Sequence, residues 1–324
     1  MIVTVTANPA ADVIYELGGT VCADGLNRAK ASSVSAGGKG INVSRAVLRA
    51  CGGACDGALA TLALLGGHTG DMFAAKLEEE GLPVTKIPTL CETRINICAV
   101  SPDGKACEIN APGGPVRCEE LDALTETLSG TVGEGDIVIL AGSLPKCTGR
   151  DPVTYWSELI PVLRKKGCAV ILDCSGEALR LAVNGECPPD MIKPNLDELC
   201  ELLGTDTDAL MKSFGSELTP GESPAENLFR CAEAASETLA AKGISVLATL
   251  GSHGAVYTCA EDPARHIRQK SCPVARVANV KGAGDTFLGV FTAGRYLLGR
   301  EVKDALAAAS EAAAAHVGGG TQLS

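Results

Sequence analysis

This chain of 324 residues is limited first by what it lacks. Positive charge is short: 28 Lys and Arg against 39 Asp and Glu leave a formal net charge of −11. With no basic stripe to release counterions from a phosphate backbone, nucleic acid is a poor main partner. A small anion is still possible, because a few local cations or backbone N–H groups suffice to bind one. Long apolar runs are also missing, none approaching the roughly 18–20 residues that a membrane-spanning helix needs. The opening "MIVTVTANPA" lacks a basic n-region and reads as a first strand, not as a signal peptide. The expected location is cytoplasmic, with no membrane partner. The 15 cysteines are odd in number, scattered and without a C-x-x-C pair, which suits reduced, packed thiols. Cys51 and Cys55 have a helical spacing that can seat a metal, but plain packing accounts for them more simply.

What is present alternates. Apolar runs such as "MIVTVTA", "DIVILAGS", "CAVILDCS" and "ISVLATLG" are separated by helical stretches such as "INVSRAVLRACG", "DPVTYWSELIPVLRKKG" and "AENLFRCAEAASETLAAKG". Continuously apolar strands alternating with helices predict an α/β fold, a doubly wound and mainly parallel sheet flanked by helices on both faces. Residues 13–35 and 87–112 break the rhythm, with strand-like pieces, the turn "SPDG" and no helix between them. They read as a small projecting β-sheet on a single domain. The Ala-rich "DALAAASEAAAAHVGGG" lacks a basic face and reads as a packed terminal helix.

Two stretches offer the same chemistry. In "GGKGINVSRAV", Gly37 and Gly38 leave backbone N–H groups bare at a helix start, with Lys39 and Asn42 beside them. A plain glycine-rich turn into a helix explains that stretch equally well. In "KGAGDTFLGVFTAG", Gly282, Ala283 and Gly284 form a second candidate anion nest, and Asp285 follows in the first helical turn. Asp285 is either a charge that steadies the helix N-terminus or a base that takes a hydroxyl proton beside a held phosphoryl group. Neither stretch has the spacing of a P-loop or a dinucleotide fingerprint. A nicotinamide dehydrogenase is further disfavoured by "TANPAAD" after the first strand.

Other polar residues fall where strands end: Asp12; Arg94 and Asn96 in "TRIN"; Ser143 in "AGSLP"; Lys193, Asn195 and Glu198 in "KPNLDE"; and Thr249, Leu250, Gly251, Ser252, His253 and Gly254 in "TLGSHG". Ligands of open parallel sheets bind beyond the carboxyl ends of the strands, so these residues are candidates for one cleft. Caps, turns and surface ion pairs explain each of them singly.

Taken in order, "ANPAAD", "AGGKGINVSR", "TRIN", "AGSLP", "KPNLDEL", "TLGSHGA" and "GAGDTF" resemble the PfkB sugar kinases, whose fold is ribokinase-like, over essentially the whole chain. The wording around "AGGKGINVSR" and "TRIN" is similar to the sugar-phosphate kinases of that family, 1-phosphofructokinases first and tagatose-6-phosphate kinases next. The resemblance implies ATP- and Mg²⁺-dependent phosphorylation of a sugar phosphate, with fructose-6-phosphate, ribose and nucleoside kinases as more distant readings. It implies Asp285 as base and Gly282, Ala283 and Gly284 as anion hole. Asp12, Gly37, Gly38, Asn42 and Arg94 match positions that hold the sugar phosphate, with Lys39, Asn96 and Ser143 adjoining. Arg28, in "GLNR", matches a basic contact from the projecting lid. The 249–254 loop, Gly284 and Lys193 would meet the nucleotide, and Asn195 with Glu198 would organise Mg²⁺. The lid also implies a homodimer. A sugar-phosphate-binding regulator without catalysis is the contrasting reading, opposed by the retained Asp285. Three features depart from the family: Lys281 stands where relatives carry a small or apolar residue, the stretch beginning "ACGGACDGALATL" is slightly long, and relatives tend to continue beyond "GGGTQLS".

Overall fold

The structure, a computed structural model, describes residues 1–53, 55, 57–82, 84–207, 209–210, 224–278 and 280–319. The chain begins with β1 (Ile2–Thr6), β2 (Ala10–Leu17), β3 (Ala29–Gly37), α1 (Lys39–Ala50), β4 (Leu59–Gly66), α2 (Gly67–Glu79), β5 (Thr85–Thr89), β6 (Arg94–Val100) and β7 (Ala106–Ile109). It continues with β8 (Val116–Arg117), α3 (Cys118–Thr131), β9 (Ile137–Ala141), β10 (Cys147–Thr148), α4 (Tyr155–Lys165), β11 (Ala169–Asp173), α5 (Gly176–Asn184), β12 (Met191–Ile192) and α6 (Leu196–Leu202). The last part holds α7 (Pro224–Ala240), β13 (Ser245–Thr249), β14 (Gly254–Cys259), β15 (Asp262–Lys270), α8 (Ala283–Tyr296) and α9 (Val302–Val317).

Nine strands form the main sheet in the order β15-β14-β13-β12-β11-β9-β1-β4-β5. From β5 to β13 the neighbours run parallel, and only β14 and β15 are antiparallel. Both faces are covered, so successive strand residues enter different apolar layers. Val138, Leu140, Val170 and Leu172 pack with α3, α4, α5 and α7 residues, while Ile137, Ile139 and Ile171 pack with α1, α8 and α9 residues. This is the doubly wound, mainly parallel arrangement that the alternating pattern predicts. One polar cluster in the core is satisfied locally: Ser44 of α1 hydrogen-bonds Thr4 at 2.6 Å and Thr61 at 2.8 Å.

A separate four-stranded sheet has the order β3-β2-β6-β7. Its strands lie within residues 10–37 and 94–109, so it begins before residue 13 and takes nothing from residues 87–93. Thr85–Thr89, part of which falls in the stretch expected to project, instead pairs in parallel with β4 at the edge of the main sheet. The Ala-rich helix is α9, with Ala305, Leu306 and Ala309 fully buried in the same layer as α8. Cys51 and Cys55 pack at the edge of that layer, and among the described residues no group of three or more His, Cys, Asp or Glu could hold a metal. The tail at 320–324 lies outside the described residues.

Candidate active site

The parallel strands bring their carboxyl ends to one edge. Thr6 pairs with Ala141, Ala141 with Asp173, and Leu172 with Ile192. The loops that follow carry Asn8, Ser143, Lys193 and Asn195, and Thr249 leads into the 250–254 turn. An isolated parallel bridge between Asn195 and Thr249 joins the last two loops. Folding thus gathers at one edge residues scattered over the whole sequence.

Two helices open onto this edge. Gly38 caps α1 with φ 139°, a left-handed value that glycine adopts without strain. A Cβ on Gly37 would lie 2.1 Å from Asp12 Oδ2, so the missing side chain is the space in which the Asp12 carboxylate sits. Gly282 caps α8 in the left-handed region, φ 83°. The two helices then run against each other. Asn42 Nδ2 donates to Asp285 Oδ2 at 2.8 Å, and one turn further a Cβ on Gly289 would meet Ala46 Cβ at 2.5 Å. The Asn42–Asp285 contact and the Ala46–Gly289 contact are successive rungs of one helix pair, and glycine at 289 sets how closely they approach.

Asp285 is 8% exposed. Burial raises its pKa above the ordinary carboxylate range, the nearby negative charge of Asp173 raises it further, and the Asn42 hydrogen bond with the Lys193 and Lys39 ammonium groups opposes the rise. Asp173 is the hub of the local charge. It is fully buried at the end of β11, and its Oδ1 meets Lys39 Nζ at 3.1 Å and Lys193 Nζ at 3.3 Å. Its other oxygen, Oδ2, is buried with no hydrogen-bond partner among the described residues. For Lys39, burial works against the ammonium, but Asp173, with smaller help from Asp285 and Glu198, outweighs it and raises the pKa. Lys39, expected beside the sugar phosphate, therefore spends its charge on Asp173. Asp173 itself was not among the residues singled out from sequence.

The glycine nest is narrower than the motif suggests. Ala283 N–H is directed to the Val280 carbonyl at 3.3 Å, while Gly284 and Asp285 lie in the first helical turn, whose N–H groups have no intrahelical acceptor. A Cβ on Gly284 would stand 3.5 Å from Lys193 Nζ, so its bareness leaves the buried ammonium beside the helix start. In the neighbouring loop Asn195 Oδ1 accepts from Glu198 N–H at 2.8 Å, and Glu198 Oε2 accepts from Asn195 N–H at 2.9 Å. This reciprocal capping starts α6 and fixes both side chains at the cleft. In the 250–254 turn, Leu250 N–H donates to Gly254 O at 2.8 Å and His253 N–H to Leu250 O at 3.1 Å, with Gly251 and Gly254 at positive φ. Ser252 offers its carbonyl to the Ser271 hydroxyl.

The base of the small sheet supplies the remaining residues. Asp12 Oδ1 accepts from Asn96 Nδ2 at 2.9 Å and from Lys281 Nζ at 3.1 Å. Ser143 Oγ is reached by Asn8 Nδ2 at 3.1 Å. Arg94 is largely committed: Nη1 donates to Ala111 O at 3.0 Å, Nη2 to Asn8 O at 3.1 Å and Nε to Pro9 O at 3.4 Å. Three of its five N–H groups thus fasten β6 to the loop after β1 and to the segment after β7, leaving two for a ligand. Arg28 is not brought to the cluster. Its carbonyl accepts from Gly18 N–H at the far end of the β2–β3 hairpin, beyond the Leu17–Ala29 pair. Five residues along β2 separate Leu17 from Asp12, roughly 16 Å of strand.

A buried acid at a glycine-rich helix start, with Lys39 at the start of α1 and Lys193 after β12 beside it, is an arrangement for anion chemistry, and solved structures share the chain's overall fold. Phosphofructokinase-2 from Escherichia coli, solved in complex with fructose-6-phosphate, is 25% identical, with a TM-score of 0.79 over 98% of this chain and 93% of that one. A candidate phosphofructokinase from Staphylococcus aureus is 28% identical, with a TM-score of 0.73 over 98% and 92%. Arabidopsis thaliana ribokinase, solved with ribose and ATP, is 22% identical with a TM-score of 0.66 over 98% and 92%, a likeness of fold. The model of the pfkB family carbohydrate kinases matches residues 7–322, nearly end to end, and the chain therefore belongs to that family of sugar phosphotransferases.

Proposed function

We propose that the chain is a sugar-phosphate kinase that moves the γ-phosphoryl group of ATP to the 6-hydroxyl of fructose 1-phosphate, giving fructose 1,6-bisphosphate and ADP. The observation that carries this reading is Asp285, a buried acid with a raised pKa in the first turn of α8, hydrogen-bonded by Asn42. A carboxylate whose proton affinity is raised toward working pH suits proton removal from a hydroxyl. The Gly284 and Asp285 N–H groups and the Lys193 ammonium stand where they can steady the charge of a migrating phosphoryl group. Asp12, Asn42, Asn96 and Ser143 line the acceptor side, with Gly37 and Gly38 giving room and Arg94 adding charge. Lys193 and the Thr249–Gly254 turn line the nucleotide side.

Magnesium fits the donors present. Asp173 Oδ2 is a buried carboxylate oxygen without a partner among the described residues, and Glu198 is close enough to act on the Lys39 charge. Hard oxygens of this kind suit Mg²⁺, which is commonly held by one or two carboxylates plus substrate phosphates. Asp173, Glu198 and Asn195 would hold it, and the ion would shield the negative charge of the ATP phosphates.

The small sheet is the lid of this one kinase domain, closing over the acceptor and excluding water. Its register also supports a homodimer. Ala11, Val13 and Tyr15 of β2, Val34 of β3, Ile95, Ile97 and Ala99 of β6 and Ile109 of β7 share the face opposite Asp12. Tyr15, Ile95 and Ile109 are exposed, and a second copy would cover that face. Fifteen cysteines, with no disulfide among the described residues, suit a reducing compartment, the cytoplasm.

A 6-phosphate acceptor is the second reading, favoured by the fructose-6-phosphate bound to the E. coli protein, with tagatose 6-phosphate as its isomer. A coupled ADP-release assay over fructose 1-phosphate, fructose 6-phosphate, tagatose 6-phosphate, ribose and fructose separates them. Highest turnover on fructose 1-phosphate is expected. Highest turnover on an unphosphorylated sugar overturns the acceptor class, and no turnover on any revives the binding regulator.

A further inference from the structure

We infer that His316 is a positioning residue for phosphoryl transfer, holding the turn that aims the N–H groups of α8 at the transferring group. His316 lies in the last turn of α9, in the Ala-rich stretch to which the function assigns nothing. Its Nε2 donates to the Lys281 carbonyl at 2.7 Å. With the proton on Nε2, the other nitrogen, Nδ1, accepts from the Thr286 hydroxyl, 3.5 Å away and buried one residue beyond Asp285. The imidazole therefore touches the turn on both sides of the glycine nest.

The effect on the nest follows from peptide geometry. The 281–282 peptide is planar and trans, so its carbonyl and its N–H point in opposite directions. Drawing the Lys281 carbonyl toward α9 turns the Gly282 N–H away from α9. Gly282 has φ 83° and no side chain to hold that plane, and a Cβ there would lie 3.5 Å from the imidazole. His316 fixes the plane of this peptide from outside the turn, through the Lys281 carbonyl. The same segment is tied to α9 a second time, by Ala278 N–H donating to Val317 O at 2.8 Å. Meanwhile the Lys281 ammonium is held by Asp12 at 3.1 Å. One residue is thus pinned by its carbonyl from the C-terminal helix and by its side chain from the base of the small sheet.

This inference rests on the family's kinase activity and is independent of which sugar is the acceptor. The test compares His316→Phe, which keeps a ring of similar shape without a donor, with His316→Gln, whose amide N–H can reach the carbonyl. Both are assayed on whichever acceptor the wild type turns over best, with thermal melts of each. A nest that drifts by a fraction of an ångström loses transition-state contacts more than ground-state ones. His316→Phe should therefore lower kcat by about 10- to 100-fold, with KM for both substrates held within about 3-fold and Tm little changed. His316→Gln should restore kcat to within about 3-fold of wild type, as a regained hydrogen bond requires. A normal kcat in His316→Phe overturns the inference. So does an equal fall in both variants, or a loss of folding in both, because the ring would then act by packing alone. If only the Phe variant fails to fold, His316→Ala takes its place beside Gln under the same criteria. Absence of wild-type turnover on every acceptor, a different outcome, overturns the kinase reading together with this one.

Discussion

The side-chain amide of Asn42 donates to Oδ2 of Asp285 over 2.8 Å, joining the glycine-rich start of α1 to that of α8 across 243 residues of sequence. The same amide takes the Arg45 Nη1 donor on its oxygen at 3.0 Å, which fixes which end of Asn42 faces the acid. Asp285 is therefore aimed by a neutral donor that lowers its pKa, while burial and Asp173 raise it.

The first prediction concerns that acid directly. Asp285→Asn keeps the shape and loses the proposed base, so kcat should fall by at least about 10³-fold with ATP affinity largely intact. Stability should move the other way. A carboxyl group with a raised pKa in the fold contributes stability below the ordinary carboxylate range, and that contribution is lost as pH rises through the raised value. At neutral pH the wild type carries this penalty and the Asn variant does not. Melts should show a variant about as stable as wild type in acid and more stable at pH 7. A variant less stable at pH 7 would contradict the burial argument.

The second prediction separates the two causes of the raised pKa. The acid limb of kcat/KM, which reports the free enzyme's base, should lie above the ordinary carboxylate range. Asp173→Asn removes the like charge and should move the limb of the residual activity to lower pH. It also strips Lys193, buried at 6% exposure, and Lys39 of their partner. A buried pair broken on one side costs about 3–5 kcal/mol, so a clear fall in Tm should accompany the shift. An acid limb that stays in place would assign the whole rise to burial.

The third prediction tests the helix pair. At Gly289 an added methyl group would meet Ala46 Cβ and the Val43 carbonyl, each at 2.5 Å. Gly289→Ala should push α8 from α1, costing about 1–3 kcal/mol by overpacking. The lost Asn42–Asp285 alignment should lower kcat as well. If Tm falls while kcat holds, the contact at 289 is structural only.

Most of the fold was legible because buried parallel strands write continuous apolar runs, as in "DIVILAGS" and "CAVILDCS", and the helices between them are amphipathic. Thr85–Thr89 was not, because "TKIPT" holds one buried apolar residue, Ile87, and a proline, too little pattern to distinguish a main-sheet edge from a projecting strand. The glycine-rich helix starts drew attention to Asp285 and Asn42, but a plain turn or a helix-end charge fits those stretches as well, and their roles came from the ordered motifs of the family resemblance. Asp173 was missed because an acid at the end of a strand looks like any turn residue until topology sets Lys39, 134 positions away, beside it. Arg28 and Arg94 show the reverse: the sequence displays their charge, but strand length carries Arg28 away from Asp12, and backbone carbonyls take up most of Arg94.

The last prediction concerns Lys281, the residue in the turn before α8 that departs from the family resemblance. Its ammonium lies 3.1 Å from Asp12 Oδ1 with half of its side chain exposed, so solvent screens the pair and it contributes no more than about 1 kcal/mol to stability. Lys281→Met should therefore leave Tm within a few degrees of wild type. Its influence falls on the acceptor: Asp12 is proposed to hold the sugar, and a cation beside it favours an acceptor that brings negative charge. For the phosphorylated acceptor KM should rise about 10-fold, kcat and the KM for ATP should change little, and added salt should narrow the difference. An unchanged acceptor KM would reduce Lys281 to a surface partner of Asp12. An equal rise for unphosphorylated sugar would mean that the lysine acts by holding Asp12 in place, with no direct attraction for phosphate.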